Sequence, residues 1–171
     1  MIYNPSTIWY ISKYVMPPQE SLVGHRGHYL IKELQKKGKR VYIVNSNSFN
    51  KAKKKNLKKI YNFRIIDEVS YLTIKTIQYK NSFSLKRILS WIDFEIKLIF
   101  LPLKNFSRPD VIIVSSLSLL TIINGLIFKT RFKCKLIFEV RDIWPLSLIE
   151  YKGYSNFNIF ILFLSFIEKL G

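Results

Sequence analysis

Acidic residues, cysteine, histidine, alanine, glycine and proline are all scarce in this 171-residue chain. Each shortage excludes something. A single cysteine, Cys134, rules out an internal disulfide framework and any Cys-based structural zinc site within one chain. Two histidines, His25 and His28, are too few for a multi-His metal cage. Six glycines and six prolines exclude collagen-like, elastic and low-complexity architecture. The opening MIYNPSTIWYISKY lacks a basic start, a sustained apolar stretch and a small-residue cleavage site, so no secretory leader is expected. Familiar chemical motifs are missing too: there is no G-x-G-x-x-G, no P-loop, no G-x-S-x-G elbow and no aromatic RNA-binding signature.

What is present is ample material for a core. The apolar fraction is 49% and the aromatic fraction 15%, in a length that matches one domain of ~100–200 residues. Charge is the strongest compositional feature, with 28 Lys and Arg against 11 acids and a formal +17. Such an excess points to an anionic partner: nucleic acid, an anionic membrane face or a phosphorylated substrate. Drift in an AT-rich coding sequence would give the same excess, and the many Lys, Ile and Asn residues beside one alanine, Ala52, fit that as well. The densest cluster, KAKKKNLKK at 51–59, has no interleaved aromatics for base stacking and reads as a solvated face. No nucleic-acid partner is expected.

Along the chain, strand and helix patterns alternate. Ile8 to Ser12 reads as a buried strand ahead of a loop holding Pro17, Pro18 and Gly24. From His28 the spacing becomes helical, with Tyr29, Leu30 and Leu34 on one face, and Gly38 stands where a helix is closed in the left-handed conformation. Val41 to Val44 is a second strand, which completes a strand–helix–strand crossover. One or two short strands flank Asp67-Glu68. Ser84 opens a long helix on which Leu85, Ile88, Leu89, Ile92, Ile96 and Ile99 repeat at three and four, and Pro102 stops it.

Val111 to Phe128 carries no charge and approaches the ~20 residues of a membrane span. Its serines, Asn124-Gly125 and the β-branched start after Pro109-Asp110 favour instead a strand over Val111 to Val114 and a helix over Leu117 to Phe128. Lys135 to Val140 is a further strand, and Phe157 to Leu170 an apolar helix whose Phe160, Leu162, Phe163 and Phe166 form a face that needs covering. The pattern predicts an α/β domain with a mostly parallel, Rossmann-like sheet flanked by helices.

In such a sheet, ligands bind beyond the carboxyl ends of the strands. Three segments occupy that edge: Lys13 to Arg26, Ser115-Ser116 and Arg141 to Pro145. In the first, Gly24, His25, Arg26 and Gly27 stand where a helix begins and backbone N–H groups can approach a phosphate; a turn glycine and a helix start at His28 are the more ordinary explanation. In the last, FEVRDIWP ends a buried strand abruptly in Glu139, Arg141, Asp142 and Trp144. Glu139 and Arg141 share a face by two-residue alternation and can pair, whether as cleft groups or as an ion pair that fixes the loop.

PDVIIVSS and KLIFEVRDIWPLSLIEYKGY, within Pro109 to Tyr154, resemble the N-terminal half of family 4 glycosyltransferases of the GT-B type. The likeness is to the branch that builds bacterial surface polysaccharides such as O-antigen and capsule, similar to the N-acetyl-L-fucosamine transferases. IWYISKYVMPP, HYLIKELQKKGKRVYIVNS and KRILSWIDFEIKL fit the same pattern, so the likeness spans nearly the whole chain, with VRDIWP its most specific part.

The resemblance implies two Rossmann-like halves facing a cleft. The N-terminal half binds the acceptor, an undecaprenyl-pyrophosphate-linked saccharide at the cytoplasmic membrane, and the C-terminal half binds the nucleotide-sugar donor. Transfer retains configuration and needs no metal or other cofactor. Residues 1–171 then correspond to a partial acceptor-side domain, incomplete as an enzyme alone, on the inner face of the plasma membrane with its anionic surface. Carried over by position, Gly24 belongs to the loop that approaches the donor phosphates and Arg26 matches an arginine of this branch. His25 stands where a second glycine is usual. Arg141 takes the place of a histidine and Asp142 the acid after it; these two are expected to act as catalytic groups that orient hydroxyls, with Ser115, Ser116, Glu139 and Trp144 around the substrate. An acceptor-binding subunit that works with a separate donor-binding chain, and a basic nucleic-acid-binding domain, are the alternatives.

Overall fold

The computed structural model describes residues 6–23, 25–48, 57–80, 84–115, 120–141, 161–162 and 165–166. Six strands form one sheet: β1 (Thr7–Ile11), β2 (Arg40–Ser46), β3 (Tyr61–Ile66), β4 (Val69–Ile74), β5 (Val111–Ser115) and β6 (Lys135–Glu139). Three helices flank it: α1 (Arg26–Lys36), α2 (Leu85–Ile99) and α3 (Thr121–Phe132). The order across the sheet is β3-β4-β2-β1-β5-β6, and every pairing is parallel except β3 with β4. This is a Rossmann-like α/β fold, as the alternation of patterns predicts.

Strand β1 lies inside the sheet, between β2 and β5. All five residues of TIWYI in β1 are buried, as a strand covered on both faces requires. Alternation then sorts the side chains. Trp9 and Ile11 join Phe94 and Leu98 of α2 and Phe128 and Phe132 of α3 in one core. Ile8 and Tyr10 join Ile31 of α1 in the other. Trp9 meets Phe106, Phe128 and Phe132 edge-on at 5.4, 6.1 and 5.4 Å, pairs worth about 0.5–1.5 kcal/mol each beyond area burial. Asp110 Oδ2 accepts hydrogen bonds from the Ser6 N–H, the Ser6 hydroxyl and the Thr7 N–H, which ties the start of β1 to that of β5. Those bonds, the Thr7 amide foremost, hold the Asp110 carboxyl below the usual range.

Turn chemistry follows the expected places. Gly38 closes α1 with φ +75°, its N–H donating to the Gln35 carbonyl at 2.8 Å. Asp67 and Glu68 both have positive φ, 49° and 68°, and make the two-residue turn of the β3–β4 hairpin.

The faces of the helices differ from the expectation. On α1, Gly27, His28 and Ile31 are buried while Tyr29 and Leu30 are exposed. On α2, Ser90, Trp91, Phe94, Glu95 and Leu98 face inward, and of the predicted apolar repeat Leu85, Leu89, Ile92, Ile96 and Ile99 face outward while Ile88 is half-buried. Partners explain the reversal. Glu95 accepts from Thr121 Oγ1 at 2.6 Å and from Asn124 Nδ2 at 2.7 Å, so α2 and α3 join through a polar seam. Helix α3 spans Thr121–Phe132, past the predicted end at Phe128; Leu117, the predicted start, lies outside the described residues. No helix among the described residues is long and apolar enough to cross a membrane. Of the predicted last helix, residues 161–162 and 165–166 are helical, and Leu162 and Phe166 are exposed; Phe160 and Phe163 lie outside the described residues.

Candidate functional site

The order of strands defines a crevice. From β1 the chain moves outward to β2 and β4, then returns to lay β5 on the other side of β1. Neighbouring loops therefore diverge beyond the carboxyl ends of β1 and β5, the place where open α/β sheets hold their ligands. Register places Val114 beside Ile11, and Glu139 beside Ser115. Alternation turns Tyr10, Ser115 and Glu139 toward the α1 side of the sheet.

There they meet the first turn of α1. Glu139 Oε2 accepts the Tyr10 hydroxyl at 2.6 Å, and Glu139 Oε1 accepts Arg26 Nε at 2.8 Å. The close approach depends on Gly27: a Cβ there would stand 2.5 Å from Tyr10 Cε1 and 2.7 Å from Val15 Cγ2. With no side chain at 27, the helix can press on the Tyr10 ring and hold Arg26 over Glu139.

The electrostatics follow. Burial pushes the Glu139 carboxyl up, but the hydrogen bonds from Tyr10 and Arg26 and the charges of Arg26 and Arg141 outweigh it and hold the group below its usual range. Glu139 is thus ionised at neutral pH although its side chain is only 13% exposed. Burial, and the carboxylate that accepts its proton, push the Tyr10 phenol far above its ordinary value, so it stays a donor. Ser115, fully buried, lies near enough to favour the ionised phenol, yet its Oγ makes no hydrogen bond of regular geometry among the described residues. Arg26 is largely exposed and uses Nε–H on Glu139; a guanidinium carries five donors in all. The arrangement is an ionised acceptor beside a solvent-facing cation, suited to hydroxyls on one side and an anionic group on the other.

The predicted site residues therefore divide. Arg26, Ser115 and Glu139 converge on Tyr10, and the Arg141 charge bears on the same group. The carboxylate takes Arg26 as its close partner, an ion pair across the helix–sheet contact that strand alternation alone does not point to. His25 precedes α1 with its ring Nε2 2.6 Å from the Ser21 carbonyl, so the ring donates to the loop. Gly24, Ser116, Asp142 and Trp144 lie outside the described residues. No group of three His, Cys, Asp or Glu that could hold a metal occurs among the described residues.

Two further features escape sequence reasoning. Tyr10 reads as one more core aromatic, and only the α1 contact reveals its polar end. Lys13, just beyond β1, is fully buried. Its Nζ donates to Ser48 Oγ at 2.8 Å, Ser90 Oγ at 2.9 Å, the Ser90 carbonyl at 3.0 Å and Ser46 Oγ at 3.4 Å. The Phe94 and Tyr14 rings lie 5.3 and 5.8 Å from it. Burial lowers its pKa to about 7, partly offset by the charges of Glu95 and Asp93. Lys13 therefore pins the loop after β1 to β2 and α2. The only hint of it in the sequence is a polar Ser12-Lys13 pair directly after an apolar strand.

Fold and crevice together define a Rossmann-like α/β protein with a charged cluster at its topological switch point. No protein-family model matches the chain, and no curated protein matches it.

Proposed function

We propose that this chain supplies the acceptor side of a retaining glycosyltransferase that moves a sugar from a nucleotide donor to a lipid-linked saccharide of a bacterial surface polysaccharide. The donor is held by a second Rossmann-like unit, on the same polypeptide or on a partner chain. The observation that carries the reading is the Tyr10–Glu139–Arg26 cluster at the switch point. In this role the ionised Glu139 accepts hydrogen bonds from acceptor hydroxyls, and Arg26 at the start of α1 faces the pyrophosphate. Tyr10 donates to Glu139 and keeps it oriented. The resemblance of VRDIWP to family 4 sequences supports Arg141 and Asp142 as further groups at the same edge.

Calorimetric titration tests the proposal. A short-chain prenyl-pyrophosphoryl saccharide is expected to bind the wild-type chain, and Glu139→Gln and Arg26→Ala are each expected to weaken it roughly tenfold, the loss of one charge-assisted hydrogen bond. Absence of binding, or equal binding by both variants, would overturn the reading. Sugar transfer by the isolated chain would overturn the assignment to the acceptor side alone.

A further inference from the structure

A second cleft opens at the amino ends of β5 and β6, on the edge of the sheet opposite the switch point. It measures about 290 Å³ and is lined by Trp9, Leu103, Phe106, Arg108, Arg131 and Phe132. The fold gathers these residues because Phe106 and Arg108 lead into β5, while Arg131 and Phe132 end α3 just before β6. Trp9 is buried and held by its indole N–H, which donates to the Ser107 carbonyl at 3.0 Å. The Phe106 and Phe132 rings stand edge-on to it, at 70° and 65°. Half of the lining is therefore aromatic.

Two guanidiniums join this apolar surface, and both side chains are exposed. Arg108 donates from Nε and Nη2 to the Phe132 carbonyl at 3.0 and 2.6 Å, which leaves donors of its fork unused. Arg131 lies over the Phe132 ring, its Cζ 5.5 Å from the centroid. Among the described residues no carboxylate pairs with either arginine. Asp110, the acid nearest in this loop, accepts from Ser6 and Thr7. Arg40 adds a third cation at this edge, its Nη1 donating to Ser107 Oγ at 2.6 Å. Like charges gathered beside an apolar cleft repel one another, and an anion seated there relieves the repulsion.

Rings and cations together select the ligand. A flat ring stacks on aromatic side chains and on guanidinium planes, and the arginine fork matches a carboxylate or phosphate. The volume is at the lower end of the ~300–1,000 Å³ of small-molecule pockets, which suits one or two fused rings. We propose that this cleft binds a small aromatic anion, its ring against Trp9, Phe106 and Phe132 and its charge on Arg108 and Arg131. The site is separate from the Tyr10–Glu139–Arg26 cluster and does not rest on sugar transfer, so the two proposals can fail separately.

NMR titration of the full chain, read at the Trp9 indole N–H, tests it. Indole-3-acetate represents an aromatic acid and adenosine monophosphate a nucleotide. At least one is expected to shift the Trp9 signal saturably, and the tighter of the two assigns the source. Indole, adenosine and acetate, each lacking the charge or the ring, are expected to bind at least roughly tenfold more weakly. Arg131→Gln alters an exposed side chain whose contact is with the Phe132 ring. It is expected to keep the wild-type circular dichroism and melting curve and to weaken binding of the anion roughly tenfold. No saturable shift with either anion would sink the proposal. So would equal binding of the neutral rings or of acetate, or unchanged binding by Arg131→Gln.

Discussion

Two charged groups sit inward at the same edge of the sheet, and their fates are opposite. Glu139 is partly buried and receives a phenol and a guanidinium, and it remains charged. Lys13 is fully buried and receives three serine hydroxyls and a carbonyl, and its ammonium is pushed to the brink of neutrality. Each has hydrogen bonds in sufficient number. What differs is the depth of burial together with the partners: Glu139 is less deeply buried and has a phenol and a guanidinium in contact, whereas desolvation of the fully buried Lys13 outweighs its neutral partners and the more distant Glu95 and Asp93 charges. One cluster therefore keeps a fixed charge at the sheet edge, and the other ties the loop after β1 to β2 and α2.

The largest expected effect breaks the lysine side of this contrast. Between the folded pKa of about 7 and the ordinary value of 10.5, the unfolded chain binds a proton that the folded chain does not. Stability should therefore rise with pH across that window, by up to about 1.4 kcal/mol per unit, and Lys13 should contribute no slope below it. Lys13→Met is expected to erase the slope and to stabilise the protein at pH 7 by roughly 1–3 kcal/mol, because Ser46, Ser48, Ser90 and Thr76 already bond one another. Urea unfolding at a series of pH values reads both; an unchanged slope would mean that Lys13 does not titrate in this window.

Next comes the contact that assembles the carboxylate side. Gly27→Ala drives a methyl into the Tyr10 ring and Val15, and is expected to cost about 1–3 kcal/mol in denaturant unfolding. Tyr10→Phe removes one partner of Glu139 and should cost about 1–2 kcal/mol, with the Glu139 carboxyl titrating higher in carbon-detected NMR. Arg26→Ala, at the exposed end, should leave the melting curve unmoved and still raise the titration midpoint of Glu139. If neither substitution moves that midpoint, the ion-pair account of Glu139 is wrong.

The strands were readable because runs such as TIWYI and VIIVS are short, β-branched and bounded by turn residues, and because Gly38 marks a stop by its own stereochemistry. Which way the helices face was not readable. Helix α2 has apolar residues on two faces, so its spacing admits two orientations. The choice falls to Ser90 and Glu95, which can go inside only because Lys13, Thr121 and Asn124 await them. Those partners stand 26 to 77 positions away in the chain, beyond the reach of any local pattern. Of the candidate site, Glu139 and Arg26 could be named from strand end and helix start. Tyr10 could not, and Gly27 could be named only as a small residue at a helix start, because the roles of both exist only where α1 crosses β1.

The pairing of β1 with β5 also sets a timetable. One edge of β1 finds β2 within the next few dozen residues, whereas the other waits for Val111 to Ser115. At ribosomal rates of ~5–20 residues per second, that second edge stays open for roughly 5–20 s. For that interval β1, buried throughout in the folded protein, is a bare template for any other strand. Nascent chains halted before Val111 should be captured by a chaperone that holds extended apolar segments, and chains halted once β5 has left the ribosome should be released from it.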